Sequence, residues 1–292
     1  MYLIIGASGF LGRYCIKNVL ETTSENVVAT YSNAKPTFVH DRVEWIRLNV
    51  CDTPALKMLA ECVDDSTKII YLAAFHHPDK VEEFPELAWN INIVALANAV
   101  NVLGRAKCFY YSSTDSVYGE GYKDLKFVET DAPNPVNLYG KQKALAEAVC
   151  IAKNFNVVRF PFIFGASLVE GRPHFFDAIR QKLQAGQPVE MFSDSYRSTL
   201  GFDQCARFLV MLIEKFGVCP EKIVNIGSDD ALSKYAAALA LADKFGLDKS
   251  LVRAVSVGDS TGIFKAKRAA SVILDNSKLK ALLGVAEIHL EI

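Results

Sequence analysis

Ile4-Ile5-Gly6-Ala7-Ser8-Gly9-Phe10-Leu11-Gly12 is the stretch whose reading decides the fold. An apolar run from Tyr2 predicts a strand, and the segment from Phe10 to Glu21 predicts a helix. The glycines fall in the turn between them. Gly6 permits a tight turn, Gly9 lets backbone N–H groups approach a pyrophosphate, and Gly12 lets helix and strand pack closely. Ser8, Phe10 and Leu11 belong to the same cradle, and the helix N-terminus adds partial positive charge for the phosphates. Three glycines at this spacing arise by chance in about one such chain in twenty. Placement between a first strand and a first helix makes the pattern far more specific.

Working outward, strand-length apolar runs alternate with helical patterns. Strands are predicted at Tyr2–Ile5, Val27–Thr30, Val43–Leu48, Lys68–Ala73, Lys107–Ser112 and Asn156–Phe160. Helices are predicted near Phe10–Glu21, Pro54–Cys62, Pro85–Leu103 and Asn137–Lys153. Such alternation implies an α/β fold, a doubly wound parallel sheet of the Rossmann type with helices on both faces. After about Gly165 the pattern loosens, with further helices near Phe202–Phe216, Ser233–Phe245 and Asn276–Leu283. We therefore expect a dinucleotide-binding domain over 1–164. Residues 165–292 would form a mainly substrate-binding, partly helical region, with a segment near 199–227 returning to the main sheet.

Composition narrows the function classes. The 292 residues carry 32 basic and 33 acidic side chains, a net charge of −1, without the basic excess of a nucleic-acid binder. The longest uncharged stretch, Leu87 to Leu103, carries four asparagines and suits a buried helix better than a lipid-facing one. The seven cysteines are odd in number and never spaced Cys-x-x-Cys. They read as reduced packing residues of a cytoplasmic protein, and a strand predicted from Tyr2 leaves no signal peptide before it. His76-His77 has no third ligand at suitable spacing, so no metal site is expected.

Tyr and Lys four residues apart share one helix face, where the ammonium can stabilise a tyrosinate. Free tyrosine, with a pKa of about 10, is otherwise a poor acid–base at neutral pH. The chain contains three such pairs: Tyr31/Lys35, Tyr122/Lys126 and Tyr139/Lys143. Tyr31 ends a predicted strand and Pro36 follows its lysine; Tyr122 sits in a glycine-rich, charged loop. Only Tyr139 begins a long helical pattern, with Asn137 as its expected cap. The fifth strand runs into Ser112-Ser113-Thr114-Asp115-Ser116, small polar residues at a sheet edge where ligands bind.

Together these residues resemble the extended short-chain dehydrogenase/reductases. The resemblance rests on Gly6/Gly9/Gly12, Asp52, Leu72-Ala73-Ala74, Asn92, Ser113-Thr114-Asp115, Tyr139/Lys143 and Arg159-Phe160-Pro161-Phe162-Ile163-Phe164-Gly165. Within that family the chain is most similar to the dTDP-4-dehydrorhamnose reductases, through Pro85–Asn92, Glu129–Pro133 and Leu274–Leu279. Tyr118-Gly119 and Arg197–Asp203 follow the epimerase pattern instead.

The resemblance implies catalytic roles for Thr114, Tyr139 and Lys143. It implies that Asp52 meets the adenine, that Ala73 and Ala74 line the cofactor, and that Asn92 braces the active-site backbone. His76, Thr114, Asp115 and Arg197 would meet the substrate, with Arg197 on its phosphates. The second strand ends Ala29-Thr30-Tyr31-Ser32-Asn33 without the acid that holds an NAD ribose, while Arg13 and Lys35 are near enough in sequence to meet a 2′-phosphate. NADP is therefore expected as cofactor, with NAD as the alternative. Similar dehydratases carry Glu where this chain has Ser116, which removes a group that dehydration needs.

The expected function is NADPH-dependent reduction of a nucleotide-linked 4-keto-6-deoxy sugar by a homodimer, with Tyr139 supplying the proton. Two alternatives stay open. One is a 4-epimerase with tightly bound NAD. The other is a non-catalytic regulatory subunit, because the regulatory subunit of methionine adenosyltransferase is similar to the same reductases.

Overall fold

The computed structural model describes residues 1–258 and 264–292. In chain order its first half contains β1 (Tyr2–Ile5), α1 (Phe10–Thr22), β2 (Val27–Tyr31), β3 (Val43–Arg47), α2 (Thr53–Glu61), β4 (Lys68–Tyr71), α3 (Pro78–Glu83), α4 (Pro85–Trp89), α5 (Ala95–Val102), β5 (Cys108–Thr114), β6 (Lys126–Phe127), α6 (Leu138–Ala152) and β7 (Asn156–Phe160). The second half continues with α7 (Phe175–Gln184), β8 (Val189–Phe192), β9 (Tyr196–Arg197), α8 (Phe202–Phe216), β10 (Ile223–Asn225), β11 (Leu232–Ser233), α9 (Lys234–Lys244), β12 (Val252–Val255), β13 (Ser271–Leu274) and α10 (Ser277–Leu283).

Seven parallel strands form the main sheet, in the order β10-β7-β5-β4-β1-β2-β3. Alternation along β1 shows why it must be covered twice. Tyr2 and Ile4 point to the face where Cys15, Ile16 and Val19 of α1 meet Leu209, Leu212 and Ile213 of α8. Leu3 and Ile5 point to the other face, against Leu56 of α2, Leu96 and Val100 of α5, and Ala146 of α6. A strand buried on both faces reads as a continuous apolar run, which is how β1 looked in the sequence. Each fully buried Leu or Ile there contributes roughly 1.5–3 kcal/mol by leaving water.

The helix expected over Pro85–Leu103 is interrupted. Asn90–Val94 form a π-helical turn between α4 and α5. Asn92 sits in that turn, buried, and grips the backbone beyond β4: Phe75 N donates to its Oδ1 at 2.8 Å, and its Nδ2 donates to Phe75 O at 3.1 Å and to Gln142 Oε1 at 2.8 Å. Such π-turns recur at functional sites, where they re-aim one side chain out of helical register.

The second lobe is richer in strands than its sequence suggested. One sheet runs β11-β9-β13-β6, and β8 pairs with β12 in another. α7 buries Phe176, Ile179 and Leu183 along one face at helical spacing, and β8 alternates buried Val189 and Met191 with exposed Glu190, so both carry a local period that the expectation of a loose region passed over. The pairing of β6 with β13 joins Lys126–Phe127 to Ile273–Leu274, so the two halves of the chain interleave. α8 and β10 belong to the main sheet's layers, β10 pairing with β7 at the edge. Among the described residues no helix is long and apolar enough to cross a membrane.

Candidate active site

The glycine turn leaves β1 and enters α1. Gly6 has φ +87°, and a Cβ there would lie 2.8 Å from Ala73 N. At Gly12 a Cβ would lie 2.6 Å from the Cα of Ala7. Gly9 differs: within the protein its Cβ would meet only Gly6 O, at 3.3 Å. Its bare side therefore faces a cleft rather than a packed neighbour. Gly9 is also the N-cap of α1 and supplies no side-chain acceptor, so first-turn N–H groups remain available to an anion. Thr30 fixes the turn, accepting from Gly6 N through its hydroxyl at 3.0 Å and from Ser8 N through its carbonyl at 3.3 Å.

A cleft of about 450 Å³ opens from Gly6, Gly9, Phe10, Leu11 and Gly12 towards the second lobe. Thr114, at the end of β5, and Tyr139, in the first turn of α6, face each other across it. Asn137 starts α6 by accepting from Gly140 N at 2.9 Å. Helix and strand end then approach so closely that a Cβ at Gly140 would lie 2.4 Å from Ser116 O. Thr114 Oγ1 bonds within its own turn, 3.1 Å from Asp115 Oδ1 and accepting from Ser116 N at 3.2 Å, and it lies near enough to Tyr139 to affect its ionisation. Burial and the nearby Asp115 carboxylate hold the Tyr139 phenol well above the usual tyrosine range, partly offset by Thr114, and so keep it protonated.

Lys143 follows one turn along α6. Its ammonium donates to Ser112 O and lies 4.2 Å from the centre of the Tyr111 ring. Burial lowers its pKa to about 7, against the opposing pull of Glu147. Of the three Tyr-x-x-x-Lys pairs only this one shares a helix. Tyr122 is 75% exposed in a loop, and Lys35 lies on the exposed segment after β2.

Arg197 lies in β9, and its guanidinium is already engaged. Nη1 donates to Tyr196 O at 2.8 Å and Ala270 O at 3.1 Å, Nη2 donates to Ala269 O at 2.7 Å, and Nε stands 3.4 Å from Asp115 Oδ2. Burial raises the pKa of Asp115 and lowers that of Arg197, each working against the pair's mutual attraction. Three further cations, absent from the sequence reading, share this wall: Arg172, Lys234 and Arg268. Lys234 sits over the rings of Phe162, Phe175 and Phe192, and burial brings its pKa to about 8 with help from Arg197 and Arg268. Arg268 is tied to Asp79 at 2.8 Å. These cations come from separate loops and elements, and no local pattern marks them.

A second cleft, of about 1210 Å³, continues past the ends of β2 and β3. Ser32, Asn33, Arg47, Asp52, Ala74 and His76 are on its walls. Asp52 caps α2, its Oδ1 accepting from Ala55 N at 3.1 Å. Ala73 packs beneath Gly6, and its neighbour Ala74 lines both clefts. His76 also lines both, and burial with Arg172 and His77 nearby lowers its pKa, so it is neutral at pH 7. Arg13, expected at a 2′-phosphate, is half-buried, and its Nη1 is buried without a hydrogen-bond partner among the described residues. Its guanidinium is stacked 4.5 Å from the Phe38 ring centre and 5.6 Å from that of Trp45, and it lines neither cleft. Among the described residues no cluster of three His, Cys, Asp or Glu side chains could hold a metal ion.

A Rossmann sheet with a glycine turn at its first strand and a Thr/Tyr/Lys constellation at its fifth is the architecture of the extended short-chain dehydrogenase/reductases. Within that class the chain belongs to the family described as the RmlD substrate binding domain, whose signature matches residues 1–291. It is 30% identical over 262 residues to methionine adenosyltransferase 2 subunit beta of Xenopus tropicalis, covering 87% of this chain and 75% of that protein. It is 26% identical over 304 residues to the probable low-salt glycan biosynthesis reductase Agl14 of Haloferax volcanii, covering 100% and 95%. The crystal structure of a hypothetical dTDP-4-dehydrorhamnose reductase from Sulfolobus tokodaii superimposes with a TM-score of 0.81 at 25% identity, covering 100% of this chain and 97% of the other.

Proposed function

We propose that this protein is an NADPH-dependent reductase of a nucleotide-linked 4-keto-6-deoxy sugar. The observation that carries this reading is the convergence of Thr114, Tyr139 and Lys143 in one cleft, at the junction between the glycine turn and a cationic wall. The residues fit a dinucleotide. Gly9 leaves its open side to the cleft, α1 offers uncapped N–H groups for a pyrophosphate, and the neighbouring cleft shares Ala74 and His76 with the first. When bound, the reduced cofactor supplies the hydride.

The chain's own groups supply the rest. Tyr139, held protonated, is the proton donor that carbonyl reduction requires, and Thr114 offers a second hydroxyl to the same carbonyl oxygen. Lys143 binds ribose hydroxyls and favours the tyrosinate left after the proton departs. Arg172, Lys234 and the Arg197/Arg268 wall supply positive charge for a diphosphate, while Phe162 and Phe192 exclude water. Ser116 lies in the cleft where a dehydratase would need an acid, and its hydroxyl bonds Asp115 Oδ1 at 3.3 Å.

The test is stoichiometric loss of NADPH absorbance on adding a dTDP-4-keto-6-deoxy sugar to purified protein. Tightly co-purified NAD, and epimer interconversion without net cofactor oxidation, would establish the 4-epimerase instead. The likeness to methionine adenosyltransferase 2 subunit beta supports a second reading, a regulatory subunit that uses the fold for binding alone. Cofactor binding without turnover across a panel of keto-sugar nucleotides, together with a shift in the activity of a methionine adenosyltransferase, would favour that reading.

A further inference from the structure

A dinucleotide lying on the glycine turn brings its adenosine ribose to the residues that follow β2. Here those residues are Ser32 and Asn33, and no acid is present to repel a phosphate. Arg47 ends β3 directly opposite Tyr31 in the parallel register, one strand spacing of about 4.8 Å away. Its Nε donates to Ser32 O at 3.4 Å, and among the described residues this is its only hydrogen bond. Among the described residues the guanidinium has no carboxylate within ion-pair distance; it is exposed and lines the second cleft beside Ser32, Asn33 and Asn49. Asp52, the one acid on that wall, is committed to capping α2. The other arginine near this strand end, Arg13, is stacked on Phe38 and Trp45 and is not among the residues that line this cleft.

The geometry points to Arg47 as the side chain that reads the 2′-phosphate of NADP(H), with the Ser32 hydroxyl and the Asn33 amide completing the anion contact. A planar guanidinium with both terminal nitrogens free can present two parallel N–H donors to phosphate oxygens. This assignment rests on the dinucleotide reading above, and adds the residue that makes the choice between NADP and NAD.

Calorimetric titration of the whole protein with NADPH, NADH and 2′,5′-ADP tests it. Wild-type protein should bind NADPH more tightly than NADH and should bind 2′,5′-ADP measurably. Arg47→Ala should weaken NADPH and 2′,5′-ADP by roughly 10- to 100-fold, the loss of a charge-assisted phosphate contact. NADH affinity should stay within about two-fold, since a hydroxyl draws little from that charge. Arg47→Lys should recover part of the loss, and the wild-type preference should shrink with added salt. Equal losses for NADPH and NADH in Arg47→Ala at an unchanged melting temperature would overturn the assignment, as would an intact preference in Arg47→Ala that Arg13→Ala abolishes. If wild-type protein binds neither dinucleotide, the dinucleotide reading itself falls. If it binds NADH as well as NADPH, only the Arg47 assignment does.

Discussion

Glu147 and Arg159 form a buried two-point ion pair beneath the helix that carries Tyr139 and Lys143, with Nε–Oε1 at 2.9 Å and Nη2–Oε2 at 2.7 Å. Glu147 lies one turn beyond Lys143 on α6, and Arg159 is in β7. Ser113 of β5 donates to the same carboxylate, and Arg159 Nη1 donates to the Tyr118 hydroxyl at 2.7 Å. The pair therefore ties the helix carrying Tyr139 and Lys143 to the strands it must sit against. Removing one partner leaves a buried charge alone, which costs about 3–5 kcal/mol. Glu147→Ala should lower unfolding free energy by that amount in urea titration. A loss below about 1 kcal/mol would mean the pair is not structural.

Tyr139→Phe removes the proposed proton donor and leaves the ring's packing. Turnover should fall by at least roughly 100-fold, the scale of a single general-acid contribution. NADPH affinity, read by calorimetry, should stay nearly unchanged, because the phosphate and adenosine contacts lie elsewhere. Full activity in the variant would remove Tyr139 from the chemistry.

Lys143 gives stability a pH signature. Burial brings its folded pKa to about 7, whereas an unfolded lysine titrates near 10.4. Between those values the unfolded chain binds more protons, so this residue's penalty is full below about pH 7 and fades as pH rises towards 10. Lys143→Met should therefore raise the melting temperature most at pH 6, and the gain over wild type should shrink towards pH 10. A gain that grows with pH would contradict the burial argument. The same variant should lose turnover at every pH.

Arg197 has two possible uses, and a variant separates them. As a phosphate contact, its loss should raise KM for the nucleotide sugar by about tenfold and leave NADPH affinity alone. As a clamp on the Ala269 and Ala270 carbonyls, its loss should chiefly lower the melting temperature. Arg197→Ala with an unchanged KM would leave it a structural tie for the strand β13 that follows.

The sequence by itself determined what depends on neighbours along the chain. Gly6, Gly9 and Gly12 announced a strand–turn–helix because backbone conformation and close approach are local demands. Tyr139 and Lys143 stood out from two decoy pairs because a helix sets residues four apart on one face. The strands of the main sheet were legible because burial on both faces leaves continuous apolar runs. The tertiary structure decided everything that depends on residues distant in sequence. Lys234, Arg172 and Arg268 become one cationic wall only when three separate segments converge, and β6 joins β13 across half of the chain. Sequence proximity favoured Arg13 for the adenosine end. The tertiary structure stacks Arg13 on Phe38 and Trp45 and sets Arg47 opposite Tyr31, a neighbour that strand register and not chain distance provides.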